Sequence, residues 1–380
     1  MSPRAIIVWQ PLLTDHMSAT LAALGVAAGL PVIAYVTRLD DDIRAAQGWT
    51  IAPPVGVQVE LLPETARWPA ARTRLDQHAE DIHIFGSPFE ERTLMQTLAL
   101  ALHRRLPTFL VSEPYPVTAT AYFSQVMLRD RLKAVLRPLL YRGYGVILRG
   151  RISGVFAISQ RAVTQFTAMG VAPDRIFPFG YFVAPGTSHR TASDLPGAPL
   201  RVAFIGTLIE RKGLPELVEA ARRLRGTVAI DVYGPGNPAR FDFEAAGVRF
   251  CGRAEFGTAQ AVFARYDLAV VPSRHDGWGV VVNEALQAGV PVLCSDATGA
   301  AAIVRRWGCG LVIPAGDAAA LAEALATLAA DRPRLAGMAA AAARVANLLT
   351  PDVAGSYVND AITSVLHATP RPANPWYDAP

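Results

Sequence analysis

Short apolar runs rich in β-branched residues alternate with alanine- and leucine-rich stretches along most of the 380 residues. Continuously apolar strands separated by helices are typical of a parallel sheet that helices cover on both faces. The alternation therefore predicts an α/β fold with doubly wound, Rossmann-like sheets. The strands predicted in the first half are Ala5–Trp9, Pro31–Val36, Asp81–Gly86, Thr108–Ser112 and Gly154–Ser159.

The alternation stops once, in a segment rich in Pro, Gly, Ser and Thr between Ala184 and Pro199, and then begins again. We therefore expect two such domains joined near residue 190, with ligands bound at the carboxyl ends of their strands. The strands predicted in the second half are Arg201–Gly206, Val228–Gly234, Val248–Cys251, Leu268–Pro272, Pro291–Ser295 and Leu311–Pro314. Alanine-rich helices are expected over residues 318–349.

The end of the chain carries a clear helix start, because Thr350 is a good N-cap and Pro351 suits the first helical position. The proline-rich residues that follow this helix, PRPANPWYDAP, are expected to form an irregular tail.

The composition is that of a folded protein, since 51% of the residues are hydrophobic and 18% are charged. This balance excludes a disordered chain. The net charge of +4 is mild, and no interleaving of aromatic and basic residues predicts nucleic-acid binding. The three cysteines (Cys251, Cys294 and Cys309) form no CxxC pair, so they predict neither a metal site nor a disulfide framework. We expect buried thiols in a reducing, cytoplasmic compartment.

The uncharged segment Ala19–Val36 has 18 residues, which is the lower length limit of a membrane span. Gly25, Gly29 and Pro31 argue against one continuous helix, and a helix that ends near Gly29 before a strand explains the same residues. A signal peptide fits poorly, because polar residues at 14–16 interrupt the first apolar region. We therefore assign this segment to the first domain.

The segment FIGTLIERKGLPELVEAARRL places two cations beside a predicted helix start. The strand ends at Gly206 and the helix begins near Gly213 or Leu214, so Arg211 and Lys212 lie next to helix amides that favour an anion. Two cations at such a position suit a diphosphate. A solvated basic loop is the alternative for this segment taken alone. A further turn, GPG in VAIDVYGPGNP, permits close approach to the backbone but also fits an ordinary tight turn.

The segment PSRHDGWGVVVNEALQAGVPV carries two carboxylates, Asp276 and Glu284, eight positions apart. Asp276 lies in a loop with Gly277 and Gly279, and Glu284 lies about one turn into a helix that begins near Val280. Carboxylates accept hydrogen bonds from hydroxyls, and helix-start amides bind phosphate. Together these groups indicate a nucleoside-diphosphate sugar, whereas the glycine-punctuated edge of a buried core is the alternative.

DGWGVVVNEALQAGVPV resembles the E-x7-E signature of glycosyltransferase family 4, the retaining transferases of the GT-B fold. GTLIERKG is similar to the diphosphate-binding loop of that family, and the similarity extends from about Pro199 to Leu348. RISGVFAISQRAVTQFTAMGVAPDRIFPFGYFV resembles the end of the family's N-terminal domain. The resemblance implies a GT-B fold of two domains facing a cleft. It implies an acceptor-binding domain in residues 1–190, a nucleotide-sugar-binding domain in 191–349, and a C-terminal helix and tail in 350–380 that return to the first domain.

The resemblance implies that Glu284 holds the ribose hydroxyls, that Asp276 contacts the transferred sugar and that Lys212 neutralises the leaving diphosphate. The family often has an arginine directly after the strand glycine, where this chain has Thr207, and we expect Arg211 to supply that charge. Asp276 replaces a family Glu and is one methylene shorter, which bears on the identity of the sugar. The other residues implied in donor binding are Gly206, Gly234, Asn237, Arg253, Gly277, Trp278, Gly279, Val280 and Val281.

Two histidines are candidates on the acceptor side, because many family members carry a histidine at the end of an N-terminal strand. His83 lies in the predicted strand DIHIFG and is expected to be a buried strand residue. His16, in the loop after the first strand, is the better candidate, although a helix start capped by Thr14 or Asp15 is the alternative. No metal cofactor is expected, since Asp40–Asp42 fits a solvated helix start and no other DxD-like motif is persuasive.

The segment Met127–Arg151 has seven basic residues and one acidic residue, with Leu, Val, Ile and Tyr between them. Such a pattern suits an interfacial helix on anionic lipid, although Pro138 is expected to break or kink it. A helix with one solvated basic face is the alternative. The basic residues are Arg129, Arg131, Lys133, Arg137, Arg142, Arg149 and Arg151, and the acidic residue is Asp130.

These features predict a retaining glycosyltransferase of the hexosyltransferase type. It would move a sugar from a nucleoside-diphosphate sugar to a glycan or polyprenyl-linked acceptor in surface polysaccharide or glycolipid synthesis, in the cytoplasm or at the inner face of the cytoplasmic membrane. The alternatives are an inactive GT-B homologue that serves as a binding or scaffold protein, or another GT-B enzyme such as a sugar-nucleotide epimerase. A phosphorylase would need a pyridoxal-binding lysine context that the sequence lacks.

Overall fold

The computed structural model describes residues 3–39, 55–115, 128–190, 198–224, 226–255 and 257–378, except the side chains of residues 15 and 128–134. The helix start expected at Asp40–Asp42 lies outside these residues. The chain divides into two compact units. Unit 1 contains Met1–Tyr115, Leu136–Ala184 and Thr350–Pro380, and unit 2 contains Pro116–Val135 and Pro185–Leu349.

Unit 1 is built on a parallel sheet of seven strands in the order β3-β2-β1-β4-β5-β6-β7. The strand order reverses between β1 and β4, so the sheet is doubly wound, as predicted. The five strands predicted here are all present, each within one residue of its predicted ends. The strands are β1 (Ile6–Gln10), β2 (Val32–Val36), β3 (Val57–Leu61), β4 (Ile82–Gly86), β5 (Thr108–Ser112), β6 (Gly154–Ile158) and β7 (Ile176–Phe179).

The first helix of unit 1 ends where the sequence predicts. The first helix ends at Gly29, which takes the left-handed conformation with φ of 65°, and β2 follows, as predicted for the uncharged segment. Pro138 does not break the basic helix, which runs through it. The helices that lie wholly or mostly in unit 1 are α1 (Asp15–Ala28), α2 (Arg67–Gln77), α3 (Arg92–His103), α4 (Leu128–Leu148), α5 (Gln160–Ala168) and the C-terminal α13 (Pro351–Leu366).

The C-terminal helix α13 returns to unit 1 and packs against α1, which confirms the return implied by the family resemblance. Thr350 is its N-cap and accepts a hydrogen bond from the amide of Val353. The two helices lie very close at Gly355, where an added methyl group would stand 2.5 Å from the amide nitrogen of Leu24. Glycine is therefore needed at this crossing.

The proline-rich tail after α13 is irregular, as predicted, but it is firmly packed on the edge strand β7. Trp376 is fully buried, and its ring lies 4.2 Å from that of Phe182. Asn374 and Tyr377 donate hydrogen bonds of 2.6 Å to backbone carbonyls of β7. The tail thus covers an edge that would otherwise expose unpaired backbone groups.

Unit 2 is built on a parallel sheet of six strands in the order β10-β9-β8-β11-β12-β13. All six strands were predicted, again within one residue. The strands are β8 (Leu200–Ile205), β9 (Val228–Tyr233), β10 (Val248–Phe250), β11 (Leu268–Val271), β12 (Val292–Ser295) and β13 (Gly310–Ile313). The helices are α6 (Leu214–Arg223), α7 (Phe243–Ala246), α8 (Ala259–Phe263), α9 (Val280–Gln287), α10 (Ala301–Trp307), α11 (Ala318–Ala330) and α12 (Arg332–Ala346).

Among the described residues, no helix combines the length and the apolar character that crossing a membrane requires.

Candidate active site

The two motifs of the second half meet at the point where the strand order of unit 2 reverses. Strands β8 and β11 are direct neighbours, with Val202 paired to Leu268 and Ala203 to Ala269. The loop GTLIERKG leaves the carboxyl end of β8, and the loop SRHDGWG leaves the carboxyl end of β11. In doubly wound sheets ligands bind at this position, so the topology alone makes these loops a candidate site.

The first loop lies directly against the second. A short 3-10 turn, Glu210–Lys212, ends at Gly213, which has φ of 78° and begins α6. A methyl group on Gly213 would stand 2.0 Å from the carbonyl oxygen of Pro272. Only glycine permits both the left-handed backbone and this close approach.

Three contacts join the cations of the first loop to the second. The Arg274 amide donates to the Arg211 carbonyl at 2.8 Å, and Arg211 Nη1 donates to the His275 carbonyl at 2.8 Å. Lys212 Nζ lies 2.5 Å from Asp276 Oδ2. The structure thus brings together Arg211, Lys212 and Asp276, as the sequence-based prediction requires.

Asp276 is ionised at neutral pH. Burial opposes its ionisation, but Lys212, with smaller contributions from Arg211 and His275, holds the pKa of this carboxyl below its usual range. The ionised carboxylate of Asp276 therefore lies beside the cations of the first loop.

A third loop, between β12 and α10, supports the backbone around Asp276, and the sequence analysis did not identify it. The Asp276 amide donates to Ala297 O, and the Gly299 amide donates back to Asp276 O, each at 3.1 Å. A methyl group on Gly299 would lie 2.2 Å from Gly277 O. The glycine in the sequence SDATGA after a predicted strand was the available signal for this close approach.

Glu284 lies on α9, which follows Gly279 with φ of 87° at its N-cap. The helix begins at Val280, so the amides of Val280 and Val281 have no acceptor within the helix and can bind an anion. Burial raises the pKa of Glu284 to about 7. Its side chain is therefore partly protonated at neutral pH in the free protein.

Burial or existing contacts limit how three other predicted donor-binding residues, Trp278, Gly234 and Asn237, could contact a ligand. The side chain of Trp278 is 1% exposed and packs in the core, so only its backbone can face a ligand. Gly234 adjoins Gly206, since a methyl group on Gly234 would stand 1.8 Å from Gly206 O. Asn237 is exposed and uses its side-chain oxygen to accept the Ala239 amide.

Arg253 and Thr207 complete the predicted donor set. Arg253 is exposed in the segment after β10, and Thr207 is partly buried directly after Gly206. Arg211 places its guanidinium against the second loop, where Nη1 donates to the His275 carbonyl. The role of Arg211 as the cation that replaces an arginine at position 207 stays a prediction.

The two candidate histidines, His83 and His16, have different surroundings. His83 is fully buried in β4, accepts the Trp9 indole N–H at Nδ1 and places Nε2 2.9 Å from His78 O. Burial lowers the pKa of His83 to about 4, so the ring is neutral. This agrees with the expected buried strand histidine.

His16 lies at the carboxyl side of β1, but in the first turn of α1 and not in the preceding loop. Its ring packs edge-on against Tyr181 at 4.3 Å, and Nε2 lies 3.2 Å from Thr14 Oγ1. Thr14 is the N-cap residue, but its side chain makes no capping hydrogen bond. Tyr181 is therefore a neighbour of His16 that sequence reasoning missed.

Within the described part of the chain, no cluster of three or more His, Cys, Asp or Glu residues could hold a metal ion.

Comparison with known proteins places the strongest similarity in unit 2. Residues 199–331 match the profile of the family described as "Glycosyl transferases group 1". The phosphatidyl-myo-inositol mannosyltransferase of Mycobacterium leprae (strain TN) is 30% identical over 225 residues, covering 56% of this chain and 58% of that protein. The putative teichuronic acid biosynthesis glycosyltransferase TuaC of Bacillus subtilis (strain 168) is 27% identical over 183 residues, covering 46% of each chain. The chain thus spans about half the length of these curated relatives.

Among solved structures, that of Anabaena Alr3699/HepE in complex with UDP-glucose superposes with a TM-score of 0.66. It covers 96% of this chain and 99% of that chain, at 17% sequence identity. At this identity the likeness shows the fold, which is GT-B, as the family resemblance implied.

Proposed function

We propose that the chain is a group 1 glycosyl transferase, that it retains the configuration of the transferred sugar and that it uses a nucleoside-diphosphate sugar. The observation that carries the proposal is the pairing of the two loops at the β8/β11 reversal. It places Arg211 and Lys212 beside Asp276 and close to the start of α9. The similar proteins include a phosphatidyl-myo-inositol mannosyltransferase and a protein described as a putative teichuronic acid biosynthesis glycosyltransferase, and HepE was crystallised with UDP-glucose.

In this proposal the protein stabilises the charge that builds on the leaving diphosphate. Lys212 and Arg211 supply the cations, and the first amides of α9 supply hydrogen bonds that are already oriented. Glu284 accepts hydrogen bonds from the ribose hydroxyls and Asp276 from those of the transferred sugar. The acceptor hydroxyl attacks from the face that the nucleotide leaves, and the departing phosphate takes its proton, so no side chain is needed as the base.

The predicted acceptor is a glycan or a polyprenyl-linked sugar, and we propose that the enzyme meets it at the inner face of the cytoplasmic membrane through α4. One face of this helix packs inward, with Tyr144 stacked on Phe89 at 4.5 Å. Leu139, Leu140 and Val146 are 61%, 55% and 59% exposed, although they are aliphatic.

The charge next to this exposed apolar face supports an anionic lipid surface as its partner. Arg142, Arg149 and Arg151 are exposed, and the part of α4 from residue 135 onwards contains no acidic residue. Exposed aliphatic side chains flanked by arginines fit the interface of a bilayer that contains anionic lipid.

A panel of UDP-, GDP- and dTDP-sugars, screened by thermal shift, tests the donor site. At least one nucleotide sugar is expected to raise the melting temperature of the wild type, and Glu284→Ala is expected to remove that rise while the protein stays folded. If no nucleotide sugar stabilises the wild type, the donor-site proposal fails.

Co-sedimentation with vesicles tests the membrane surface. The wild type is expected to bind vesicles that contain anionic lipid at low salt, and the double substitution Leu139→Ser with Leu140→Ser is expected to reduce the bound fraction. Val26→Ser, at an aliphatic residue of α1 that is 85% exposed, is the matched control and should bind like the wild type. Equal binding by all three proteins, or none at low salt, contradicts the membrane proposal.

A further inference from the structure

Lys212, the cation expected to bind the diphosphate, already forms an ion pair with Asp276. Lys212 Nζ lies 2.5 Å from Asp276 Oδ2, and the two side chains are 22% and 13% exposed. At this burial the attraction between the two charges is only weakly screened by solvent. A diphosphate that binds Lys212 must therefore compete with Asp276.

The backbone on both sides of the ion pair is held in place. Gly213 packs against Pro272 O, and the Asp276 backbone is hydrogen-bonded on both sides to the loop after β12. Moving the two loops apart would break the hydrogen bonds that Arg211 makes with the Arg274 amide and the His275 carbonyl, whereas the Asp276 side chain can turn about its own bonds. A rotation of the carboxylate is the smallest change that releases Lys212.

We infer that Asp276 exchanges partners when the donor binds. In the free protein its carboxylate holds Lys212; when a nucleotide sugar enters, the diphosphate takes Lys212 and the released carboxylate accepts hydrogen bonds from hydroxyls of the sugar. This inference rests on the proposed donor site and assigns to Asp276 a second task, which is to oppose binding of the nucleotide without its sugar.

The consequence concerns the product of the reaction. A nucleoside diphosphate takes Lys212 but offers Asp276 no sugar hydroxyls, so the carboxylate remains close to a phosphate with no compensating partner. Repulsion between these like charges weakens product binding. Asp276 thereby favours the nucleotide sugar over the nucleoside diphosphate and speeds product release.

Isothermal titration of Asp276→Asn with UDP, GDP and dTDP, and with the corresponding nucleotide sugars, tests the exchange. The neutral amide keeps the shape of the side chain but leaves Lys212 available. Affinity for the nucleoside diphosphate that binds the wild type should rise at least about tenfold, because removal of one unit charge several ångströms away in a mostly buried site is worth at least that much. Affinity for the nucleotide sugar should rise less, so the preference for the sugar-bearing form falls.

Two further variants complete the test. Asp242→Asn removes one exposed carboxylate of unit 2 and should leave both affinities unchanged, which controls for net charge. Asp276→Glu retains the charge and should keep the wild-type affinity for the nucleoside diphosphate. Unchanged or weaker nucleoside-diphosphate binding by Asp276→Asn would overturn the exchange and leave the pair a purely structural one. Failure of the wild type to bind any of these nucleotides would instead refute the proposed donor site.

Discussion

The partly protonated state of Glu284 predicts that donor binding depends on pH. The residue lies on α9, and burial raises the pKa of its carboxyl to about 7. Ribose hydroxyls donate to a carboxylate more strongly than to a protonated acid. Binding therefore selects the ionised form, so Glu284 must release its proton before or as the donor enters.

The size of the effect follows from proton linkage. When only the ionised form binds, the apparent Kd equals the intrinsic Kd multiplied by 1 + 10^(pKa − pH). With a pKa of about 7, this factor is about 11 at pH 6 and about 1.1 at pH 8. Donor affinity should therefore rise about tenfold between pH 6 and pH 8.

The measurement is isothermal titration of a nucleotide sugar at half-unit steps from pH 6 to pH 8. A nucleotide sugar is used because the terminal phosphate of a nucleoside diphosphate itself titrates near pH 6, as phosphate monoesters do. Glu284→Gln is the matched control, and its weaker binding should be independent of pH over this range. A flat affinity in the wild type, or the same slope in Glu284→Gln, would refute this role of Glu284.

Two further predictions concern the backbone and the tail. Gly213→Ala should lower donor affinity at least about tenfold, because its methyl group would stand 2.0 Å from Pro272 O and displace the second loop. Gly226→Ala, at a glycine with similar φ but open space, should leave titrated donor affinity unchanged; equal losses would contradict the argument. Trp376→Ala should lower the free energy of unfolding by about 3–5 kcal/mol in urea denaturation, because the ring is fully buried. Leu366→Ala, at a residue that is 37% exposed, should cost far less, and similar losses for the two variants would exclude a packed tail.

Most strands could be predicted because the pattern of apolar residues indicates which segments are buried. The strands of unit 2 are mostly apolar, with at most one charged residue each (Arg201, Asp231 and Arg249), and each was found. In unit 1, β3 was missed because Gln58 and Glu60 interrupt its apolar pattern at a sheet edge, and β7 because it contains Pro178. Proline is excluded from central strands but tolerated in an edge strand. A prediction that treats proline as a strand breaker therefore misses β7.

The two loops of the candidate site could also be located from the sequence, since their residue types and spacing are local. The contacts that these loops make with each other and with the loop after β12 could not be predicted from the sequence. The Lys212–Asp276 pair joins positions 64 residues apart, and the support of Asp276 by the loop after β12 depends on backbone hydrogen bonds that leave no composition signal. The burial of Trp376 on β7 likewise depends on long-range packing that no local pattern contains.

We propose that unit 2 binds a nucleotide sugar through Lys212 and Glu284 for transfer to an acceptor. The most direct test of this proposal is incorporation of labelled sugar, from the nucleotide sugar that stabilises the protein, into lipid-linked or polymeric material of a bacterial membrane preparation. The wild type is expected to incorporate label, and Glu284→Ala and Lys212→Met, folded by circular dichroism, are expected to incorporate almost none. Incorporation by either variant at the wild-type rate would contradict the proposed roles of Lys212 and Glu284 in sugar transfer.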